Sequence, residues 1–282
     1  MFATLIDCET LLQHLDDPSW VVLDARVNLA DRAAGEAMYR QGHIPGARYA
    51  NLERDLSDMR VQGEGRHPWP RDDDFTHTLG AWGITPDTQV VVYDADQGMF
   101  AARAWWLLRT LGHQGVAVLD GGFARWNALG FPVTTEFPEI RTVASYPATF
   151  DRSLLFSHDD VIAHLAHGGL LVDARAAERF RGDVEPLDRK AGHVPGAMNR
   201  PFARNLAADG RFKSPQELFA EFGELLSGRT PSDLVSMCGS GVTAAHNLLA
   251  MAHAGLVGAK LYTGSWSGWI SDDARPVATG DD

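Results

Sequence analysis

The sequence predicts an α/β protein built as a tandem duplication of one domain, each copy a mostly parallel sheet flanked by helices. Three observations predict it. Val21-Val22-Leu23-Asp24-Ala25-Arg26 returns 149 positions later as Leu170-Leu171-Val172-Asp173-Ala174-Arg175. Gly42-His43-Ile44-Pro45-Gly46-Ala47 returns 150 positions later as Gly192-His193-Val194-Pro195-Gly196-Ala197, in nearly the same register. Short apolar runs without polar alternation, as in strands covered on both faces, alternate along the chain with longer segments rich in Ala, Leu and Trp.

The elements follow in order. Val90-Val91-Val92-Tyr93 reads as a buried strand, and Met99 to Leu111 as a helix closed at Gly112, where a left-handed cap is easily adopted. Val116-Ala117-Val118-Leu119 is the next strand, followed by Asp120-Gly121-Gly122-Phe123-Ala124-Arg125-Trp126. In the second copy Leu234-Val235-Ser236-Met237 is a strand, Thr243 to Ala254 a helix closed at Gly255, and Tyr262-Thr263-Gly264-Ser265-Trp266-Ser267-Gly268-Trp269 repeats the glycine and tryptophan pattern. The expected boundaries are a first domain at 1–138, a linker at 139–151 within a polar, proline-bearing stretch, and a second domain at 152–282. In such sheets ligands bind beyond the carboxyl ends of strands, where loops lead into helices.

Composition narrows the function. Of 282 residues 45% are hydrophobic and 22% charged, enough apolar surface to offset ordering entropy in two domains. A net charge of −12 repels a phosphate backbone and an anionic membrane surface, so neither nucleic acid nor membrane is an expected partner; a local basic pocket for a small anion stays open. No stretch reaches the ~18 apolar residues of a membrane span. The segment Met1 to Asp17 lacks Lys and Arg and reads as a mature cytoplasmic start. Two cysteines, Cys8 and Cys238, are too few for a disulfide scaffold or a four-thiolate metal site, so a functional cysteine acts as a single thiol, and chemistry on such a thiol calls for no metal or organic cofactor.

Cys238 stands where the Leu234–Met237 strand turns into a helix, within Cys238-Gly239-Ser240-Gly241-Val242-Thr243-Ala244. Two glycines let the backbone curl so that amides of residues 239 to 243 face inward, and the helix amino end adds positive potential; both favour a thiolate, and an exposed one would be prone to oxidation. Cys8, in an expected amino-terminal helix without glycines around it, reads as inert.

These motifs resemble the two-domain rhodanese-type sulfurtransferases that use thiosulfate or 3-mercaptopyruvate. The resemblance covers nearly the whole chain and rests on the duplicated Asp-Ala-Arg and Gly-His-[Ile/Val]-Pro-Gly-Ala motifs, Tyr93-Asp94-Ala95-Asp96-Gln97-Gly98 with Trp105-Trp106, the Cys238 loop, and Gly264-Ser265-Trp266. It implies that Cys238 takes sulfur from an anionic donor as a persulfide and yields it to a thiol, such as thioredoxin or glutathione, or to cyanide. Asp94, 144 positions earlier, stands at the matching strand end of a first domain that has lost the nucleophile. Gly239, Gly241, Val242 and Thr243 are the expected amide donors. Gly239-Ser240-Gly241 resembles mercaptopyruvate enzymes, whereas a basic pair there would resemble thiosulfate enzymes. The same resemblance assigns Ser240 a proton relay with His43, supported by Asp31 or Glu36, and gives Arg179 the donor's carboxylate or sulfonate.

The resemblance is incomplete in one loop. A second donor-binding arginine is expected directly after a Glu-Pro pair, but Leu187 follows Glu185-Pro186, leaving Arg189 as the candidate. Asp24–Arg26 and Asp173–Arg175 read as structural ion pairs, and the tryptophans as packing. Among other classes, a cysteine phosphatase would need an arginine where Ala244 stands, and a non-enzymatic sulfur-binding or regulatory module would not need the retained Cys238 loop.

Overall fold

The apolar runs that lack alternation form the middle of two five-stranded parallel sheets, where both faces are covered and apolar residues dominate. The computed structural model describes residues 1–31 and 33–281, which divide into two compact units.

The first unit runs β1 (Leu5–Ile6), α1 (Cys8–Leu12), β2 (Trp20–Asp24), α2 (Ala34–Gln41), β3 (Arg48–Tyr49), α3 (Asp72–Ala81), β4 (Gln89–Tyr93), α4 (Met99–Thr110), β5 (Val116–Leu119) and α5 (Gly122–Ala128), with strand order β1-β5-β4-β2-β3. The second runs β6 (Leu155–Phe156), α6 (His158–Ala166), β7 (Leu170–Asp173), α7 (Ala177–Arg181), β8 (Met198–Asn199), α8 (Pro215–Leu226), β9 (Leu234–Met237), α9 (Ala244–His253), β10 (Lys260–Tyr262) and α10 (Ser265–Trp269), in the matching order β6-β10-β9-β7-β8. β4 and β9 are the central strands and are buried throughout. The helices after them stop where expected, with Gly112 at φ +81° and Gly255 at φ +79°. Helices α6 and α8 start with capping boxes, Ser157 with Asp160 and Ser214 with Glu217.

The two duplicated motifs are bonded to each other, which accounts for their recurring together. Arg26 pairs with Asp24 at 2.6 Å and donates to the Gly42 carbonyl at 2.7 Å; Arg175 pairs with Asp173 at 2.7 Å and donates to the Gly192 carbonyl at 2.7 Å. In each unit a buried arginine thus clips the Gly-His-x-Pro-Gly turn before β3 or β8 to the end of β2 or β7, and its full pairing keeps a buried charge tolerable.

Three segments depart from the sequential division into 1–138, 139–151 and 152–282. Residues 139–151 group with the first unit, as in the bonds from Val143 N–H to the Gly80 carbonyl (2.9 Å) and from Tyr146 N–H to the Thr76 carbonyl (3.0 Å). Met59–Trp69 groups with the second unit, and Ala208–Arg211 with the first. The departures are reciprocal: Gly65-Arg66-His67 and Gly210-Arg211-Phe212 are 145 positions apart, and both glycines take positive φ, +90° and +81°.

Candidate active site

Cys238 ends the central strand of the second unit, and the loop after it is fixed from two sides. Its N–H donates to Ser265 Oγ at 3.2 Å, while the Cys238 and Gly239 carbonyls accept from Trp266 N–H and Ser267 N–H at the start of α10, both at 2.9 Å. In a trans peptide the N–H points opposite to the carbonyl, so tying these two carbonyls to α10 turns the N–H groups of Gly239 and Ser240 away from it. Gly241, at φ +76°, supplies the reversal into α9. Ser265 holds φ +51°, rare for a residue with a Cβ, and its hydroxyl bridges the Cys238 N–H and the Tyr262 carbonyl, 3.0 Å away. The sequence showed Ser265 only as part of a repeated glycine pattern.

Ser240 is buried two residues on, and its Oγ lies 2.8 Å from His67 Nδ1. His67 reaches it on Met59–Trp69, a strap anchored to the second unit at several points. Gly63 carbonyl accepts from Ser271 Oγ at 3.0 Å, Glu64 lies 3.5 Å from His158 Nε2, and Arg66 N–H donates to Ser267 Oγ at 3.0 Å. Gly65 has to be glycine: a Cβ there would come 2.5 Å from the Gly264 carbonyl.

Two guanidiniums stand over the loop. A Cβ on Gly239 would lie 2.9 Å from Arg66 Nη2 and 3.7 and 3.8 Å from Arg179 Nη2 and Nη1, so the glycine admits both cations. Arg179, on α7, is held by Glu185, whose oxygens accept from Nε at 3.2 Å and Nη2 at 2.6 Å. Asp188 joins the pair, with one oxygen on Arg66 Nη1 and the other 3.3 Å from Arg179 Nη2. Burial pushes the Glu185 carboxyl up, but hydrogen bonds from Arg179 and from the Leu187 and Asp188 N–H groups hold it below the usual range.

The structure thus brings together Cys238, Gly239, Ser240, Gly241, Val242, Thr243 and Arg179, and adds Arg66, His67, Glu185 and Asp188. It corrects three expectations. His43 is not the partner of Ser240: it is fully buried in the first unit, Nδ1 lies 2.7 Å from the Tyr39 carbonyl and Nε2 3.1 Å from that of Glu136, and its ring stacks on Tyr39. Neither acid supports it, since Asp31 accepts from Ala33 N–H and Glu36 pairs with Arg40. Arg189 does not join Arg179 but is half exposed, bonded to Asp273 at 2.9 Å and to the Ile270 carbonyl. Cys238 is not exposed; only 1% of its surface is accessible. The signal for His67 was a Gly-x-Gly-Arg-His-Pro run in an otherwise aperiodic loop, with a Gly-Arg counterpart 145 positions later. Cys8 is buried, and burial pushes its thiol up to about 11. Among the described residues no three His, Cys, Asp or Glu side chains gather to hold a metal, and no helix is long and apolar enough to cross a membrane.

The model of the rhodanese-like domain matches residues 7–129 and again 157–272. The chain belongs to the rhodanese-like family. It carries two such domains, with a cysteine at the strand end of the second and Asp94 at that of the first. Among curated relatives it is 49% identical to the "Probable 3-mercaptopyruvate sulfurtransferase" of Pseudomonas aeruginosa, over 99% of each chain. It is 37% identical to the thiosulfate sulfurtransferase of Cricetulus griseus, over 90% of this chain and 86% of that one. Among solved structures it is similar to the Escherichia coli 3-mercaptopyruvate sulfotransferase SseA, with TM-score 0.80 and 34% identity over 94% of this rhodanese-like chain and all of that one.

Proposed function

We propose that the protein is a sulfurtransferase that takes sulfur from 3-mercaptopyruvate onto Cys238 and passes it to a thiol or cyanide. The observation that carries this reading is the Ser240–His67 hydrogen bond, two residues from Cys238 and beside two guanidiniums. The cations suit the donor's carboxylate. The Cys238 thiolate attacks the donor's sulfur; the C–S bond breaks, its electrons staying on carbon as the enolate of pyruvate, and Cys238 is left as a persulfide. Ser240, with His67 behind it, hydrogen-bonds the developing enolate oxygen and delivers the proton that makes pyruvate, a role that the Ser240–His67 bond supports. An acceptor thiolate, of thioredoxin or a small thiol such as glutathione, or cyanide then attacks the outer sulfur and frees the Cys238 thiolate.

Both cysteines are free, which suits a reducing compartment such as the cytoplasm, where thiol acceptors are abundant. The thiosulfate reading is supported by the name of the Cricetulus griseus relative, whereas the uncharged Ser240 favours the mercaptopyruvate one. Intact-mass analysis after incubation with 3-mercaptopyruvate is expected to show a gain of about 32 Da on Cys238, absent in Cys238→Ser. Ser240→Ala is expected to slow mercaptopyruvate turnover far more than thiosulfate turnover. Equal losses would remove the relay, and no mass gain with either donor would remove the activity.

A further inference from the structure

Asp188 is placed as a donor's carboxylate would be. Its two oxygens are divided between two cations, one on Arg66 and one on Arg179, directly beside the cysteine loop. Arg179 does not depend on it for charge balance, because Glu185 already takes two of its N–H groups and also meets Arg175 at 3.3 Å. Nor does the loop depend on the Asp188 side chain for its shape. The turn is held through Glu185 Oε1, which accepts the backbone N–H of Leu187 at 3.0 Å and of Asp188 at 3.2 Å. The Asp188 carboxylate can therefore swing away while its backbone stays.

Accessibility points the same way. Cys238 is 1% exposed and the Asp188 side chain 4%, whereas Arg66 and Arg179 keep 31% and 17% of their side-chain surface. An anion arriving from solvent thus meets the guanidiniums before it meets the sulfur. The cationic seat is closed by the chain's own carboxylate.

We propose that Arg66 and Arg179 together form the seat for the donor's carboxylate, and that Asp188 occupies this seat in the resting protein and is displaced when an anionic donor binds. Arg66 is thereby a donor-binding residue and Asp188 an internal competitor. The proposal rests on the sulfurtransferase reading for the identity of the donor, but not for the existence of an anion seat. Occupancy by Asp188 lowers the fraction of seats open to the donor and raises its apparent KM in proportion.

The test combines kinetics with binding of pyruvate, an α-keto carboxylate without the sulfur. Asp188→Asn is expected to lower KM for 3-mercaptopyruvate about tenfold with kcat within about twofold, and to tighten pyruvate binding in calorimetry by a similar factor. Arg66→Gln is expected to raise KM about tenfold or more, and the gain from Asp188→Asn should vanish in the double variant because the seat has lost one wall. If Asp188→Asn weakens donor and pyruvate binding, Asp188 orients the arginines rather than competing, and the proposal falls. It falls equally if Arg66→Gln leaves KM and pyruvate affinity unchanged. Arg66 is partly exposed, so its variant is informative even if Asp188→Asn fails to fold. Wild-type protein that gains no sulfur from either donor, while Asp188→Asn binds pyruvate more tightly, would overturn the sulfurtransferase reading and leave the seat standing.

Discussion

The two central strands end in loops of common origin that do different things. After β4, Asp94 turns its own carboxylate into the loop, where it accepts from the N–H groups of Gly98 (2.9 Å), Phe100 (2.8 Å) and Ala101 (3.2 Å). After β9, the matching position is Cys238; the loop carbonyls are tied to a later helix in both, those of Asp94 and Ala95 to α5 as those of Cys238 and Gly239 to α10. A strand-to-helix turn of this kind gathers N–H groups that need an anion or acceptor. The first loop satisfies them permanently with a side chain; the second offers the same position to a thiol. Full burial raises the Asp94 carboxyl above its ordinary range, against the lowering effect of the three N–H groups. The segments exchanged between the units differ correspondingly. Arg66 is engaged by Asp188 at the cysteine loop, whereas Arg211 is bonded to Asp209 two residues away.

The comparison can be broken most sharply at histidine. His67→Ala is expected to lower 3-mercaptopyruvate turnover about 100-fold or more, as loss of a proton-relay partner does. His43→Ala, in the repeated motif, should act on stability and leave the rate per folded molecule within about twofold; comparable kcat losses in both variants would return His43 to the reaction. The second test is Asp94→Ala, which strips three N–H groups of their acceptor and is expected to cost about 2–3 kcal/mol in urea unfolding. Sulfur loading of Cys238 should be unaffected, and unchanged stability would show that Asp94 is not the anchor of its loop.

A smaller effect separates Gly122 from Ser265, which hold φ +56° and +51° at matching positions. A Cβ at Gly122 would lie 2.8 Å from the Asp94 carbonyl, so the first loop excludes a side chain that the second requires. Ser265→Gly is expected to leave stability within about 1 kcal/mol, because relief of the left-handed strain offsets the lost hydroxyl, yet to slow sulfur uptake about tenfold. An unaltered uptake rate would reduce Ser265 to packing.

The smallest effect is in pH. Burial lowers His113 in the first unit and His158 in the second below the ordinary histidine value of 6.5. The unfolded chain then binds protons first as pH drops, so the contribution of these residues is complete above 6.5 and is lost as pH falls from 6.5 through the folded values. Each contributes at most about 1.4 kcal/mol per pH unit in that window. Stability that rises on acidification from pH 7 to 5.5 would contradict the assignment of both as neutral in the folded state.

Much of this was legible in the chain itself. The duplication, the parallel sheets, the helix stops at Gly112 and Gly255 and the cysteine turn follow from local patterns, because strand and helix burial repeat with fixed periods and glycine marks left-handed caps. Arg179 was legible only through the family resemblance of the segment just after the second Asp-Ala-Arg motif. His67 and Arg66 were not, since they lie in an aperiodic loop that sits within the first copy in sequence but groups with the second unit in space. Tertiary structure alone set His67 against Ser240, 173 positions away, and gave Arg66 and Arg179 a shared carboxylate. The sequence by itself determined which elements form and set a cysteine at a strand-to-helix turn, as each is a short-range consequence of residue type. Only the fold decided which side chains stand around that thiol, because long-range contacts come from the packing of whole elements and leave no periodic trace in a loop.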